Sequence, residues 1–315
     1  MVEKNKNNNR VPHDSLRVLI VKTSSMGDVI HTFPALSDAA RAIPGIRFDW
    51  VVEESFSEIP VWHPAVDLVI PSAMRRWRKS WFGAWRSGAL KAFADQLNEQ
   101  HYDAVIDAQG LIKSALITRK VNAVKHGLDK RSAREPLASR FYDHRHHVDR
   151  HQHAIERTRQ LFAHALDYEL DDLPLHYGLG VQPDESINEQ TLMFLTGTTW
   201  SSKRWPLAFW SGLAQQAVDA GYRVLLPAGN DEEVRQTSEL AARHEAIEVV
   251  AGKTLSQMAA IIKAVREVVS VDTGLAHLAA ALDVPTIALY GPTDAHLTGI
   301  LGNRQQSLQA EIDCS

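Results

Sequence analysis

Short apolar runs rich in β-branched residues recur along this chain. Each ends in small polar residues, and between the runs apolar positions return at helical spacing. Val18-Leu19-Ile20-Val21 leads into Lys22-Thr23-Ser24-Ser25-Met26-Gly27-Asp28, and a helical pattern begins near Val29. Phe48–Val52, Val66–Ile70 and Tyr102–Asp107 read as further strands, and Pro34–Ile43 as a helix stopped by Pro44-Gly45. Ala154–Ala165 is an amphipathic helix. From Leu166 to Gln190, prolines, glycines and acidic residues replace the helical period, which predicts a linker. Beyond it Leu192–Leu195, Tyr222–Leu226, Glu248–Val250, Val268–Val271 and Thr286–Leu289 read as strands, with helices over Phe209–Ala217 and after Gly274.

Strands alternating with helices predict βαβ units and parallel sheets, so the fold class is α/β. At 315 residues the chain is long for one core and comfortable for two. The expected division is a disordered leader over 1–15, one domain over 16–168, a linker over 169–190 and a second domain over 191–315. Two similar domains with polar corners at their strand ends imply a cleft between them that suits a two-part ligand.

Composition narrows the function. A net charge of -4 argues against a dedicated nucleic-acid binder. The lone Cys314 excludes an intrachain disulfide and every multi-cysteine zinc site. No apolar run approaches the roughly 18 residues of a membrane span, and Met1–Arg10 has no apolar core of a secretory signal. A cytoplasmic location is expected. No G-x-G-x-x-G stands at any strand end, which disfavours a dinucleotide-dependent oxidoreductase.

Candidate chemistry gathers at the corners. Asp28, in an early helical turn, either complements the helix dipole or serves as a general base at the mouth of a cleft. Thr196–Pro206 sets hydroxyls, including Thr198 and Thr199, beside Lys203, a combination that can hold a diphosphate. Asp272-Thr273-Gly274 opens a helix whose free N–H groups form an anion site, and His277 adds a donor. Glu233 is either a ribose ligand or an ordinary helix-start charge.

Two dense basic stretches stand apart. Arg75-Arg76-Trp77-Arg78-Lys79-Ser80-Trp81-Phe82, followed by Trp85 and Arg86, is a basic-aromatic surface. It is either a solvated helix face with one buried tryptophan or a surface for an anionic glycolipid or membrane. The histidines from His144 to His153 come with neither cysteine nor H-E-x-x-H, so a cationic, pH-sensitive surface facing an acidic ligand is expected rather than a metal site.

Leu19–His31, Val105-Ile106-Asp107-Ala108-Gln109-Gly110, Val271–His277 and Tyr290-Gly291-Pro292-Thr293 resemble the lipopolysaccharide heptosyltransferases of glycosyltransferase family 9. Trp50–Glu54, Arg75–Lys79 and Ala133–Ser139 narrow the resemblance to the heptosyltransferase I branch, and together the motifs span roughly Leu16 to Gly302. The resemblance implies a GT-B fold of two Rossmann-like domains. It also implies inverting transfer of L-glycero-D-manno-heptose from ADP-heptose to the first Kdo of Kdo2-lipid A, with no cofactor or metal. By that pattern Asp28 is the base, while Thr198, Thr199, Lys203, Glu233, Asp272, Thr273, Gly274 and His277 hold the donor. Lys203 also assists departure of the diphosphate. Arg75, Arg76, Arg78, Lys79, Lys113, Arg134 and His147 face the anionic acceptor. The expected partners are these two substrates and the anionic cytoplasmic face of the inner membrane, with no nucleic acid. The chain departs from the family at Trp200-Ser201-Ser202, usually a more charged loop, and in ending at Ser315, where a terminal helix is usual. A transferase acting on a heptose acceptor and a non-catalytic nucleotide-sugar or lipid binder are the alternatives.

Overall fold

The computed structural model describes residues 16–170, 174–198 and 200–311. The leader, Thr199 and Cys314 lie outside them. The first sheet holds β1 (Arg17–Val21), β2 (Arg47–Glu53), β3 (Val66–Ser72), β4 (Ala104–Asp107), β5 (Val124–Leu128) and β6 (His144–His146). The second holds β7 (Thr191–Leu195), β8 (Arg223–Ala228), β9 (Ile247–Ala251), β10 (Glu267–Val271), β11 (Thr286–Tyr290) and β12 (Gln305–Gln309). The spatial orders are β3-β2-β1-β4-β5-β6 and β12-β11-β10-β7-β8-β9, and every pairing is parallel. Counted within each half, both orders are the 3-2-1-4-5-6 of a Rossmann sheet.

Helices connect the strands, and those over 33–42, 154–166 and 207–219 fall where the apolar periodicity places them. In the first half the helices are α1 (Met26–Ile30), α2 (Phe33–Ala42), α3 (Met74–Lys79), α4 (Trp81–Arg86), α5 (Ala89–Gln96), α6 (Ile112–Thr118) and α7 (Ala154–Leu166). In the second they are α8 (Leu207–Asp219), α9 (Asp231–Ala241), α10 (Leu255–Ala264), α11 (Gly274–Ala281) and α12 (Ala295–Thr298). Side chains alternate across a strand. Val18 and Ile20 of β1 therefore join Val29, Phe33, Leu36 and Phe162 on one face of the first sheet, while Leu19 and Val21 join Leu97 and Ile117 on the other. Burying a side chain the size of Phe33 contributes about 1.5–3 kcal/mol. Asp38 of α2 and Arg159 of α7 meet at 2.6 Å, both nearly buried, which fixes how these two helices pair.

Within the stretch expected to be a linker, residues 174–184 form an extended strap. Leu175, Tyr177, Leu179 and Val181 alternate inward onto an apolar cluster that runs from α2 and α7 through to α10 and α11. Tyr177 Oη donates to the Leu301 carbonyl at 3.0 Å, and Gly180 N–H donates to the Trp62 carbonyl at 2.8 Å, so the strap is tied to both halves. Its composition is that of a linker; its period of two is that of a packed strand without a ladder.

His63 lies under this strap, stacked on Phe33 with centroids 5.9 Å apart. Its Nδ1 accepts from Ala65 N–H and its Nε2 bonds Ser37 Oγ at 3.1 Å. Burial, with His176 and Arg47 nearby, pushes it down to about 4. The unfolded chain therefore binds more protons between about pH 6.5 and 4, and stability falls as pH drops through that window. At pH 5 the loss is about 2 kcal/mol. A lower Tm at pH 5 than at pH 7 is expected, with the difference reduced in His63→Gln.

Candidate active site

In a sheet of this order the ligand-binding crevice opens where the strand order reverses, between β1 and β4 in the first half and β7 and β10 in the second. The corners after these four strands carry the candidate residues.

After β1, Lys22 is buried and donates to the Ala108 carbonyl at 2.8 Å, with Asp28 Oδ1 3.8 Å away. Asp28 closes a capping box at the start of α1, with Oδ2 accepting from Ser25 N–H and Ser25 Oγ at 2.8 Å each. The helix-start reading of this residue is present in the structure: Oδ2 caps the helix, while Oδ1 faces Lys22, on a side chain 35% exposed. Burial pushes the Asp28 carboxyl up, but the Lys22 ammonium and the Ser25 hydrogen bonds outweigh it and hold the group below its ordinary range. Asp28 is thus ionised at neutral pH.

The β4 corner braces this one. Buried Asp107 accepts from Gln109 N–H, Gly110 N–H and Tyr142 Oη, and Gln109 Oε1 in turn accepts from Thr23 and Ser24 N–H. Lys113 Nζ comes within 3.4 Å of Ser24 Oγ, and Arg134 is near enough to add its charge at Asp28.

In the second half Lys203 Nζ pairs with Asp272 Oδ2 at 2.5 Å, and Thr198 Oγ1 donates to the Asp272 carbonyl at 3.3 Å. Thr273 caps α11 with extended backbone and without a side-chain bond, leaving the first N–H groups of the helix free. Here α1 and α11 cross. A Cβ on Gly27 would come within 2.8 Å of His277 Cδ2, and one on Gly274 within 2.8 Å of Met26, so only glycine fits at either place. His31 Nε2 and His277 Nδ1 meet at 3.0 Å across the same crossing.

The pocket beside this crossing measures about 390 Å³. It gathers Thr198, Lys203, Asp272, Thr273, Gly274 and His277, with Arg75 on the opposite wall. Glu233 lines an adjoining pocket of about 210 Å³, beside Leu255, Met258 and Thr273. Its Oε2 accepts from Gly229 N–H at 2.7 Å, and its own N–H caps onto Asn230, so it is both pocket wall and helix start.

The acceptor-side cations divide. Arg75 lies over the Phe56 ring at 5.5 Å and lines the pocket. Arg76 pairs with Glu54, and Arg78 and Lys79 are exposed farther along α3. Trp77 is buried, whereas Phe82 and Trp85 of α4 are 67% and 66% exposed. His147 bonds Asp129 at 3.2 Å and lies outside the pocket.

The histidine stretch is not one cationic surface. His144 and His146 lie on edge strand β6, stacked with His126, and burial together with the neighbouring imidazoles pushes His146 down to about 4. His153 instead turns inward to the Gly299 carbonyl at 3.0 Å. Among the described residues no group of three or more His, Cys, Asp or Glu side chains is placed to hold a metal, and no helix is long and apolar enough to cross a membrane.

The sequence assigns no role to Lys22, His31 or Phe56, and marks Trp200 only as part of a departing loop. A lysine ending a buried strand was the signal for the first. Trp200, 67% exposed on the pocket wall, sits in the very loop that departs from the family pattern.

Two Rossmann-ordered parallel sheets with their switch points turned onto a shared polar cleft define the GT-B class of glycosyltransferases. A family profile described as glycosyltransferase family 9 (heptosyltransferase) matches residues 90–315. Lipopolysaccharide heptosyltransferase 1 of Pseudomonas aeruginosa is 53% identical over 303 residues, covering 95% of this chain and 85% of that protein. The Escherichia coli K12 protein of the same name is 49% identical over 302 residues, covering 94% of each. The solved structure of E. coli heptosyltransferase WaaC with ADP matches with a TM-score of 0.90 at 49% identity, covering 94% of this chain and 93% of its own. The chain belongs to glycosyltransferase family 9, the heptosyltransferases.

Proposed function

We propose that the chain moves L-glycero-D-manno-heptose from ADP-heptose to the first Kdo of Kdo2-lipid A, inverting the anomeric carbon. Its relatives include lipopolysaccharide heptosyltransferases 1, and a heptosyltransferase 49% identical to this chain has been solved with ADP-2-deoxy-2-fluoro heptose, which supports heptose transfer in lipopolysaccharide assembly. One observation carries the reading: an ionised carboxylate stands on one side of the α1–α11 crossing, and Lys203, the α11 N–H groups and His277 stand on the other.

Asp28 Oδ1 takes the proton of the acceptor hydroxyl as its oxygen bonds the anomeric carbon from the face opposite ADP. The bond from that carbon to the phosphate oxygen breaks, and its electron pair leaves with ADP. Lys203, the first N–H groups of α11 and His277 receive the developing charge. Because Asp28 is held ionised, it is always ready to accept but accepts fully only as the hydroxyl acidifies in the transition state. The adjoining pocket, with Glu233 on its wall, suits the adenosine. The reaction runs on these side chains without a cofactor. ADP release that requires both ADP-heptose and delipidated Kdo2-lipid A tests the reading; release from ADP-heptose that is indifferent to the acceptor, or no release with both present, overturns it.

Arg75, Lys113 and Arg134 line the approach of the anionic acceptor, with α3 and α4 presenting their cations, Phe82 and Trp85 to the anionic membrane surface. The protein is on this reading peripheral on the cytoplasmic face. Replacing Arg75, Arg76 and Arg78 with glutamine is expected to raise the acceptor KM about tenfold or more, from lost charge-assisted bonds, while the donor KM moves less than about twofold. Equal losses for both substrates contradict the map. Sedimentation of the same variant with anionic vesicles tests the membrane contact, with reduced binding expected.

A further inference from the structure

The α1–α11 crossing carries a second feature that the transfer scheme above does not use. His31 ends α1, three residues after Asp28, and its ring lies buried against His277 and His153. His153 has both nitrogens committed elsewhere: Nδ1 accepts from Ile155 N–H at 3.2 Å, and Nε2 reaches the Gly299 carbonyl at 3.0 Å. His31 therefore bonds His277 alone of the two, through Nε2 and Nδ1 at 3.0 Å.

A neutral imidazole has one N–H and one lone pair, so one of these facing nitrogens donates and the other accepts. Burial, reinforced by the neighbouring rings and Lys22, lowers His31, and burial likewise lowers His277, which keeps both rings neutral at pH 7. If His277 donated, its Nε2 would turn a lone pair toward the pocket it lines, among groups gathered to receive negative charge. If His31 donates, His277 Nε2 carries the N–H, beside Gly27, where an added Cβ would come within 3.3 Å of that nitrogen. Only the second arrangement adds a donor to the lysine and the helix terminus.

We propose that His31 is a positioning residue for heptose transfer: its Nε2–H donates across the crossing to His277 Nδ1 and holds His277 with Nε2–H toward the departing diphosphate. The inference rests on the transferase reading for its chemistry. The five-residue helix α1 then serves both partners in the reaction, offering Asp28 to the acceptor and, through His31, orienting a donor for the leaving group.

The test uses the full chain labelled with ¹⁵N-histidine, together with His31→Leu and His31→Gln. Nitrogen spectra of the substrate-free wild type are expected to give His277 as the Nε2–H tautomer. In His31→Leu that preference is lost and kcat falls about ten- to a hundredfold, the cost of a misplaced group, while the acceptor KM is unchanged. The glutamine amide reaches the imidazole Nε2 position, so His31→Gln is expected to recover the tautomer and kcat to within a few-fold of wild type. An Nδ1–H tautomer in the wild type overturns the proposal, as do equal losses in the two variants, which would mean packing alone. Should His31→Leu fail to fold, the wild-type spectrum and His31→Gln still decide. Absence of ADP release by the wild type with its proposed substrates would overturn the transferase reading and leave the spectra to judge the hydrogen bond.

Discussion

Asp28→Asn is expected to lower kcat by about 10²–10⁴-fold, the range of general-base catalysis, and to leave the affinity for ADP-heptose within about twofold. Asparagine keeps an oxygen to accept from Ser25 N–H, so the start of α1 survives and the loss reports the charge alone. Asp28→Ala removes the cap as well, adding about 1 kcal/mol of destabilisation to the same kinetic loss. Steady-state rates of ADP release and donor titrations separate the effects. A variant retaining a tenth of the wild-type rate would remove Asp28 from the role of base. The prediction is sharpened by Lys22, whose buried ammonium has Asp28 as its nearest carboxylate at 3.8 Å.

Lys203→Met is expected to cost about 10²–10³-fold in kcat, as for loss of one preorganised donor to a developing anion. It should also weaken donor binding, because Asp272 would be left facing the diphosphate without the ammonium it now meets at 2.5 Å. Adding Asp272→Asn to Lys203→Met should restore part of the ADP affinity and none of kcat. The double-variant cycle thus separates the observed pairing of this lysine with a neighbouring carboxylate from its proposed role in stabilising the leaving group. Unchanged kcat in Lys203→Met would mean that the α11 terminus and His277 carry the departure by themselves.

The corners were legible because their physics is local. A buried central strand must be apolar, and the residues just past its end must be small and polar. Thus Lys22–Asp28, Thr196–Lys203 and Asp272–Gly274 announce themselves without any knowledge of what lies opposite. Strands β5, β6 and β12 did not. Val-Lys-His-Gly-Leu, His-Arg-His and Gln-Gln-Ser-Leu-Gln lie toward or at the sheet edges, where side chains can face water and no apolar run is required. The bond between His31 and His277 joins residues 246 positions apart and leaves no periodic trace. Nor does spacing along the chain tell Arg75, at the pocket, from Arg78 and Lys79, which the same short helix carries away from it.

The glycine contacts at the α1–α11 crossing bear on how such a chain can be inherited. Gly27 leaves room for a ring of the other half, and Gly274 for a thioether of the first. Each half is thus moulded to one residue of its counterpart beside the pocket that both line. The halves share a topology but are not interchangeable parts. A hybrid joining one half to a relative's other half would seat only if both glycines, the histidine and the methionine travelled together.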